Sequence, residues 1–257
     1  MPTPFMHLEM AEAIKTAVST RNDKHGRLLH QQLLKNWSPF YLGQIAPDFS
    51  FLDKIKREET HFYAIPLTEK DDPVAKMLQT YPFLKDAQSL PVDQCWFIAG
   101  YLAHLLYDQF WFLDIITPTF WHNKTLGDRQ HRRLVHLLLL CAMDAAAYER
   151  LPESSARILG DAHPAEWLPF GTDQALVQWQ GMVAEQLTPG GEVKTLQILS
   201  PRAELDVESF STYFYDQAWM ATHVDTAVSV QRRAKLIQKT CAASIDLLID
   251  YLFHSPN

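Results

Sequence analysis

The residues best placed to do chemistry lie in the most apolar stretch of the sequence. His104 and Asp108 are four positions apart within 91–117, a segment rich in leucine and aromatic residues. In a helix this spacing puts both side chains on one face, one turn apart. Burying an imidazole and a carboxylate among apolar side chains is costly unless they pair with each other or bind a cation. This pair alone therefore leaves two interpretations open, a metal site and a buried hydrogen bond within the core.

Three further residues could complete a metal site. Asp48 follows Pro47 at the end of a helix, His61 stands beside aromatic residues after a polar loop, and His7 lies in the first amphipathic segment. Each of them alone has an ordinary structural explanation. Together, three histidines and two carboxylates could supply nitrogen and oxygen ligands to a divalent metal ion such as zinc. No cysteine belongs to the set, which argues against a structural zinc finger.

The segments that carry these residues are predicted to be helical, because apolar positions recur with a period near 3.6 along most of the chain. The predicted helices cover residues 5–19, 26–36, 38–46, 72–79, 91–117, 128–151, 172–187, 203–220 and 224–253. The helix over 91–117 is apolar on most faces, so we expect it to be the central, buried helix. Residues 50–70 read as an irregular loop, and residues 194–199 could form a short strand.

These elements predict an all-α fold, a multi-helix bundle around the helix over 91–117. We expect one all-helical domain over residues 1–257, of which 152–257 could form a C-terminal helical subdomain. The chain of 257 residues is long enough for a sizeable core. It contains only 9 glycines, and this scarcity disfavours a turn-rich sandwich or barrel.

Charge and composition exclude several classes of protein. The formal net charge of −7 provides no general attraction for nucleic acid or for an anionic membrane, so the sequence carries no strong nucleic-acid signal, and cleavage of nucleic acid is only a further alternative. The longest apolar runs are interrupted by histidine and aspartate, which excludes a transmembrane segment. The first residues lack the pattern of a signal peptide, and three widely separated cysteines indicate reduced thiols. These features predict a soluble, cytoplasmic protein.

The order and spacing of the motifs resemble the zinc-dependent phospholipase C family. The resemblance is carried by His7, by PDF at Pro47–Phe49, by THF at Thr60–Phe62 and by GYLAHLLYDQ at Gly100–Gln109. It covers roughly residues 1–115. It implies an all-helical fold and a zinc-dependent enzyme that hydrolyses phosphoester bonds.

The resemblance also implies roles for individual residues. It implies four ligands for one zinc ion: Asp48, His61, His104 and Asp108. His7 would bind a second zinc ion, with Asp108 bridging the two. We therefore expect one or two zinc ions.

The sequence departs from the family pattern at a third zinc site. The family has a histidine six residues after the bridging aspartate, where this chain has Asp114, which could still ligate through oxygen. The other ligands of that site have no clear match among Asp128, His131 and His136. The amino-terminal ligand of secreted family members also has no equivalent, since this chain begins MPTPFMH. No third ion is therefore assigned.

Two functions remain open at this stage. The first is a metal-dependent hydrolase of a small intracellular phosphoester or a phospholipid headgroup, in which Asp48, Asp114 or Glu9 acts as the base toward water. The second is a non-catalytic helical protein that retains a structural metal or a buried His/Asp network. The metal content of the purified protein would distinguish them.

Overall fold

The computed structural model describes residues 1–254. These residues form α-helices joined by short 3-10 and π-helical segments and contain no β-strand, which confirms the all-α prediction. The α-helices are α1 (Pro4–Ser19), α2 (Lys24–Lys35), α3 (Trp37–Gly43), α4 (Arg57–His61), α5 (Pro73–Thr80), α6 (Val92–Trp111), α7 (Arg129–Arg150), α8 (Ser155–Gly160), α9 (Asp173–Gln186), α10 (Thr195–Leu199), α11 (Val207–Tyr215), α12 (Gln217–Met220) and α13 (Val230–Phe253).

Helix α6 is the predicted central helix, and most of its side chains are buried. α3 and α13 pack against it, and α13 also packs against α1. The α-helix ends earlier than predicted. It stops at Trp111, and a π-helical segment follows over Phe112–Trp121. Pro118 lies inside that segment and has no N–H to donate, so an ordinary α-helix cannot run through it unchanged.

Helices α3 and α6 cross at two glycines. A β-carbon on Gly43 or on Gly100 would lie 2.1 or 2.2 Å from a backbone oxygen of the opposite helix, so only glycine allows this approach. The crossing has a consequence for His104, which lies one turn after Gly100 on α6. The backbone oxygen of Gln44, which follows α3, is 2.7 Å from Nδ1 of His104. The two glycines therefore place the group that orients this imidazole.

We expect Gly100→Ala to destabilise the protein by about 1–3 kcal/mol, because the added methyl group would force the two backbones apart. Gly181→Ala is the matched control, since a β-carbon there has no neighbour within 4 Å and it lies within α9. That change should be neutral or stabilise by up to about 1 kcal/mol. Urea denaturation measures both effects. Equal stabilities of the two variants would contradict the close crossing.

Three shorter segments differ from the sequence-based predictions. Residues 50–70 contain the five-residue helix α4, which Tyr101 fixes to α6 by donating its hydroxyl to the backbone oxygen of Thr60 at 2.6 Å. Residues 195–199 form helix α10 and not a strand, and Thr195 at the start of this helix donates its hydroxyl to Asp144 of α7. The predicted helix over 203–220 is divided into α11 and α12 at Asp216, whose side chain caps α12.

The second half of the chain packs onto the first. Helices α8 and α9 lie together, and α8 contacts α3. The division of the chain into domains stays a prediction. The cysteines Cys95, Cys141 and Cys241 are free and buried. Among residues 1–254, none of the helices combines the length and apolarity that a membrane span requires.

Candidate metal centre

Four elements bring the predicted ligands together. α1 carries His7, a 3-10 segment over Ala46–Phe51 carries Asp48, α4 carries His61, and α6 carries the remaining two. We call these five residues the His/Asp cluster: His7, Asp48, His61, His104 and Asp108. Apart from the last two, they are far apart in the sequence, so their convergence is a property of the tertiary fold.

The ligand atoms of the cluster are separated by distances typical of a shared cation. Nε2 of His61 lies 3.3 Å from Oδ1 of Asp48 and 3.6 Å from Oδ2 of Asp108. Nε2 of His104 lies 3.9 Å from Oδ2 of Asp108. Tetrahedral ligands roughly 2.1 Å from a zinc ion are roughly 3.4 Å from one another. The ligand atoms of His61, His104 and Asp108 all lie within 4.8 Å of one another, as do those of His7, Asp48 and His104, so each of these trios could hold a metal ion.

His7 lies on the opposite side of the same carboxylate. Its Nε2 is 3.6 Å from Oδ1 of Asp108, whereas His61 and His104 approach Oδ2. The rings of His7 and His104 are stacked, with centroids 3.6 Å apart and an angle of 8° between their planes. Asp108 therefore lies between His7, which is nearest its Oδ1, and the two histidines that are nearest its Oδ2.

Backbone oxygens fix the orientation of two of the imidazoles. Nδ1 of His104 must donate to Gln44, because a carbonyl oxygen can only accept. Nδ1 of His61 lies 2.8 Å from Oγ1 of Thr60 and 3.2 Å from the backbone oxygen of Arg57, which accepts in the same way. In a neutral imidazole this leaves the lone pair on Nε2, where metal ligation requires it. Burial and the nearby His7 lower the pKa of His104 to about 3, so this ring is neutral.

Several buried atoms of the cluster have no hydrogen-bond partner in the structure. They are both ring nitrogens of His7, Nε2 of His61, Nε2 of His104 and Oδ1 of Asp108. The side chains of His7, His61 and Asp108 are at most 1% exposed. Because buried polar atoms are nearly always satisfied, such a group of unpaired nitrogen and oxygen atoms close to one another fits a bound cation. The residues present therefore fit zinc.

The two carboxylates of the cluster are ionised. Burial alone would raise the pKa of Asp48, but contact with His61 and His104 lowers it to about 2. Burial likewise opposes ionisation of Asp108, but His7, His104 and Arg57 hold its pKa far below the usual range. The cluster therefore presents two ionised carboxylates as possible ligands, of which Asp108 is also paired with Arg57.

Arg57 is a site residue that the sequence analysis missed. Its Nη2 lies 2.9 Å from Oδ2 of Asp108 and 2.7 Å from the hydroxyl of Tyr63, which itself donates to the same carboxylate at 3.0 Å. Arg57 and His61 are four residues apart on α4, the same spacing that identified His104 and Asp108. This signal was hidden because residues 50–70 were interpreted as a loop.

The structure does not bring Asp114 or Glu9 into the cluster. Oδ2 of Asp114 is 2.6 Å from Nζ of Lys239 on α13, and the side chain is 36% exposed. Glu9 is paired with Arg150. Both carboxylates are therefore bonded to residues outside the cluster. Of the three acids considered as the base toward water, this leaves Asp48, whose side chain is 26% exposed to solvent.

Of the residues considered for a third metal, Asp128 and His131 lie apart from the cluster, whereas His136 lines the same cavity as Asp48 and His61 and has a buried Nε2 without a hydrogen-bond partner. Asp128 caps the first turn of α7, and the ring of His131 contacts that of His223. His136 has its ring 5.0 Å from that of Phe120, and Leu140 follows it one turn later on α7. The position four residues after His136 is therefore a leucine, which cannot bind a metal.

A cleft of about 1040 Å³ opens beside the cluster, and Asp48, His61 and Arg57 form part of its wall. Much of the remaining wall is apolar, and includes Phe112, Ile116, Phe120 and Leu199. Three further lining residues are large apolar side chains that are 44–56% exposed: Phe51, Ile65 and Trp121. The arrangement offers a polar, charged floor and apolar walls to one ligand.

Asp144 lies in the wall of the same cleft and holds two helix ends in place. Its carboxylate accepts hydrogen bonds from the hydroxyls of Thr3, which precedes α1, and of Thr195, which begins α10. Burial raises the pKa of Asp144 to about 6, although both hydroxyls oppose the shift. The bond to Thr3 fixes the start of the helix that carries His7.

The raised pKa predicts a pH-dependent stability. Because the folded protein holds the proton of Asp144 above the ordinary value of 3.8, the contribution of Asp144 to the free energy of unfolding should fall as pH rises from about 4 to 6. His104, whose pKa is lowered to about 3, contributes in the opposite direction over this range, so the effect of Asp144 has to be measured as a difference from a variant. Asp144→Asn cannot ionise and should escape this loss. Relative to wild type, the variant should gain about 3 kcal/mol between pH 4 and pH 7. Urea denaturation of the metal-free proteins at pH 4 and pH 7 measures this gain. The same difference in unfolding free energy between variant and wild type at both pH values would contradict the prediction.

Fold and site together define an all-α protein with a buried His/Asp centre of the kind that binds divalent metals, beside an open cleft. A family model described as zinc dependent phospholipase C matches residues 6–185, and the chain belongs to this family. The match confirms the resemblance found in the sequence and extends it well past residue 115. No curated protein and no solved structure matches the chain.

Proposed function

We propose that this protein is a zinc-dependent phosphodiesterase that cleaves phospholipids or small phosphodiesters in the manner of a phospholipase C. The observation that carries the proposal is the group of unpaired nitrogen and oxygen atoms of the His/Asp cluster beside a cleft. The family match supports a zinc phosphoesterase as the broader class. The three free, buried cysteines support the cytoplasmic location that forms part of the proposal.

The ligands are divided between two positions. One ion would be held by four side chains: Asp48, His61, His104 and Asp108. A second would be held by His7 and by the other oxygen of Asp108, with fewer protein ligands. Bound zinc supplies a Lewis acid for the phosphoryl oxygens and lowers the pKa of water.

Residues that line the cleft would accept the proton and bind the substrate. Asp48 is ionised, and its partial exposure lets it accept the proton of an attacking water molecule. The guanidinium of Arg57 is 28% exposed beside the cluster, where its free N–H groups can bind phosphoryl oxygens. The apolar wall would accept the acyl chains or another apolar substituent of the substrate.

The test is hydrolysis of short-chain phospholipids by zinc-loaded protein, followed as release of the phosphorylated headgroup. We expect activity that chelation removes and zinc restores. His61→Ala should lose it, whereas Asp114→Asn should retain it, because Asp114 is bonded to Lys239 away from the cluster. A protein that binds zinc at the cluster but cleaves no phosphodiester would favour the non-catalytic alternative, a structural metal.

A further inference from the structure

The cleft beside the cluster carries the opposite charge from the molecule as a whole. Its wall contains six basic side chains: Arg57, Arg129, Arg132, Arg133, Lys194 and Arg202. Among the residues that the structure describes, only two carboxylates, those of Asp48 and Asp144, line the same cleft. The chain as a whole carries a formal charge of −7, so this excess of basic residues is a local feature and not a reflection of composition.

Some of these basic groups are already engaged, and others are available to a ligand. Arg132 donates to the backbone oxygens of two residues, and Arg133 lies 3.2 Å from Oε1 of Glu204. Arg129 and Arg202 are exposed, and within residues 1–254 no carboxylate lies within ion-pairing distance of either. Two uncommitted guanidinium groups therefore face the space where a substrate headgroup or its substituents would lie.

A cleft with apolar walls focuses the field of the charges that line it. The potential attracts a second negative charge on the substrate and repels an ammonium group, which would also lose its hydration there. Guanidinium groups are well suited to bind phosphate and carboxylate oxygens in pairs. Zinc at the cluster would add to the positive potential.

From these observations we infer that the cleft selects amphiphilic phosphodiesters with a net negative charge over zwitterionic ones with a cationic headgroup. The inference rests on the proposed function for the identity of the scissile bond. It assigns to Arg129 and Arg202 the recognition of negative charge beyond the phosphate that lies at the cluster.

The test measures binding separately from cleavage. The probes are two soluble dihexanoyl phosphonate lipids, in which carbon replaces the bridging oxygen of the scissile bond, one with a glycerol and one with a choline headgroup. Calorimetry on zinc-loaded protein should show that the anionic glycerol compound binds about tenfold more tightly, the change that 1.4 kcal/mol produces. The Arg129→Gln/Arg202→Gln double variant should lose most of this preference. Arg157→Gln is the control, because that arginine is paired with Asp161 and does not line the cleft.

Equal binding of the two probes, or tighter binding of the choline compound, would overturn the inference. So would a double variant that keeps the full preference. Hydrolysis of the corresponding ester lipids is measured in parallel, so the two proposals fail separately. A charge preference without cleavage would contradict the phosphodiesterase and leave the inference standing, whereas cleavage without a charge preference would do the reverse.

Discussion

His104→Ala should lose zinc from the cluster and lower phosphodiester hydrolysis by about three orders of magnitude. The ring of His104 belongs to both trios of possible ligands, lies 3.9 Å from the carboxylate of Asp108 and is stacked on His7. Its removal affects both proposed ion positions, since it deprives one of a ligand and leaves His7 without its stacking partner. A loss of about 4 kcal/mol of transition-state stabilisation corresponds to such a factor.

Zinc content and steady-state hydrolysis of the purified variant measure this effect. His131→Ala is the matched control, because that histidine contacts His223 away from the cluster. It should keep the zinc content and activity of wild type. A His104→Ala protein with full zinc content and unchanged activity would show that His104 is a core residue and not a ligand.

Arg57→Gln should destabilise the metal-free protein by about 3–5 kcal/mol, because it removes a cationic partner of a buried carboxylate. Asp108 is 1% exposed and accepts hydrogen bonds from Arg57 and Tyr63. Zinc would supply positive charge to the same carboxylate. Most of the loss of stability should therefore disappear when the variant is saturated with zinc.

Chemical denaturation with chelator and with excess zinc measures both states. Arg157→Gln removes an exposed ion pair with Asp161 and should change stability by less than about 1 kcal/mol in either state. If Arg57→Gln lost the same stability with and without zinc, then Asp108 would not be a ligand of the metal. If it lost none in the metal-free protein, Arg57 would not be the counter-ion of this carboxylate.

The long helices and the pair of His104 and Asp108 could be predicted from the sequence, because both depend on local patterns. The apolar period of α6 and the spacing of His104 and Asp108 can be read within one segment. Asp48 and His61 were found because they stand in short motifs whose order resembles a known family, and the structure brings them together with His104.

The remaining features depend on contacts between distant segments. Helix α4 is only five residues long and is fixed by Tyr101 of α6, so its own sequence does not indicate a helix. Without α4, the pairing of Arg57 with Asp108 could not be predicted. The same limit applies to Asp114, whose partner Lys239 is 125 residues away, and to the basic cleft, whose arginines come from α4, α7 and the segment after α10.

The most direct test of a zinc centre at the His/Asp cluster is an anomalous-difference map recorded at the zinc edge from crystals of protein purified without chelator. We expect a peak surrounded by Asp48, His61, His104 and Asp108, with contacts of about 2.0–2.2 Å, and a weaker peak between His7 and Asp108. A map with no peak at the cluster after zinc soaking, or with zinc bound only elsewhere on the chain, would contradict the account.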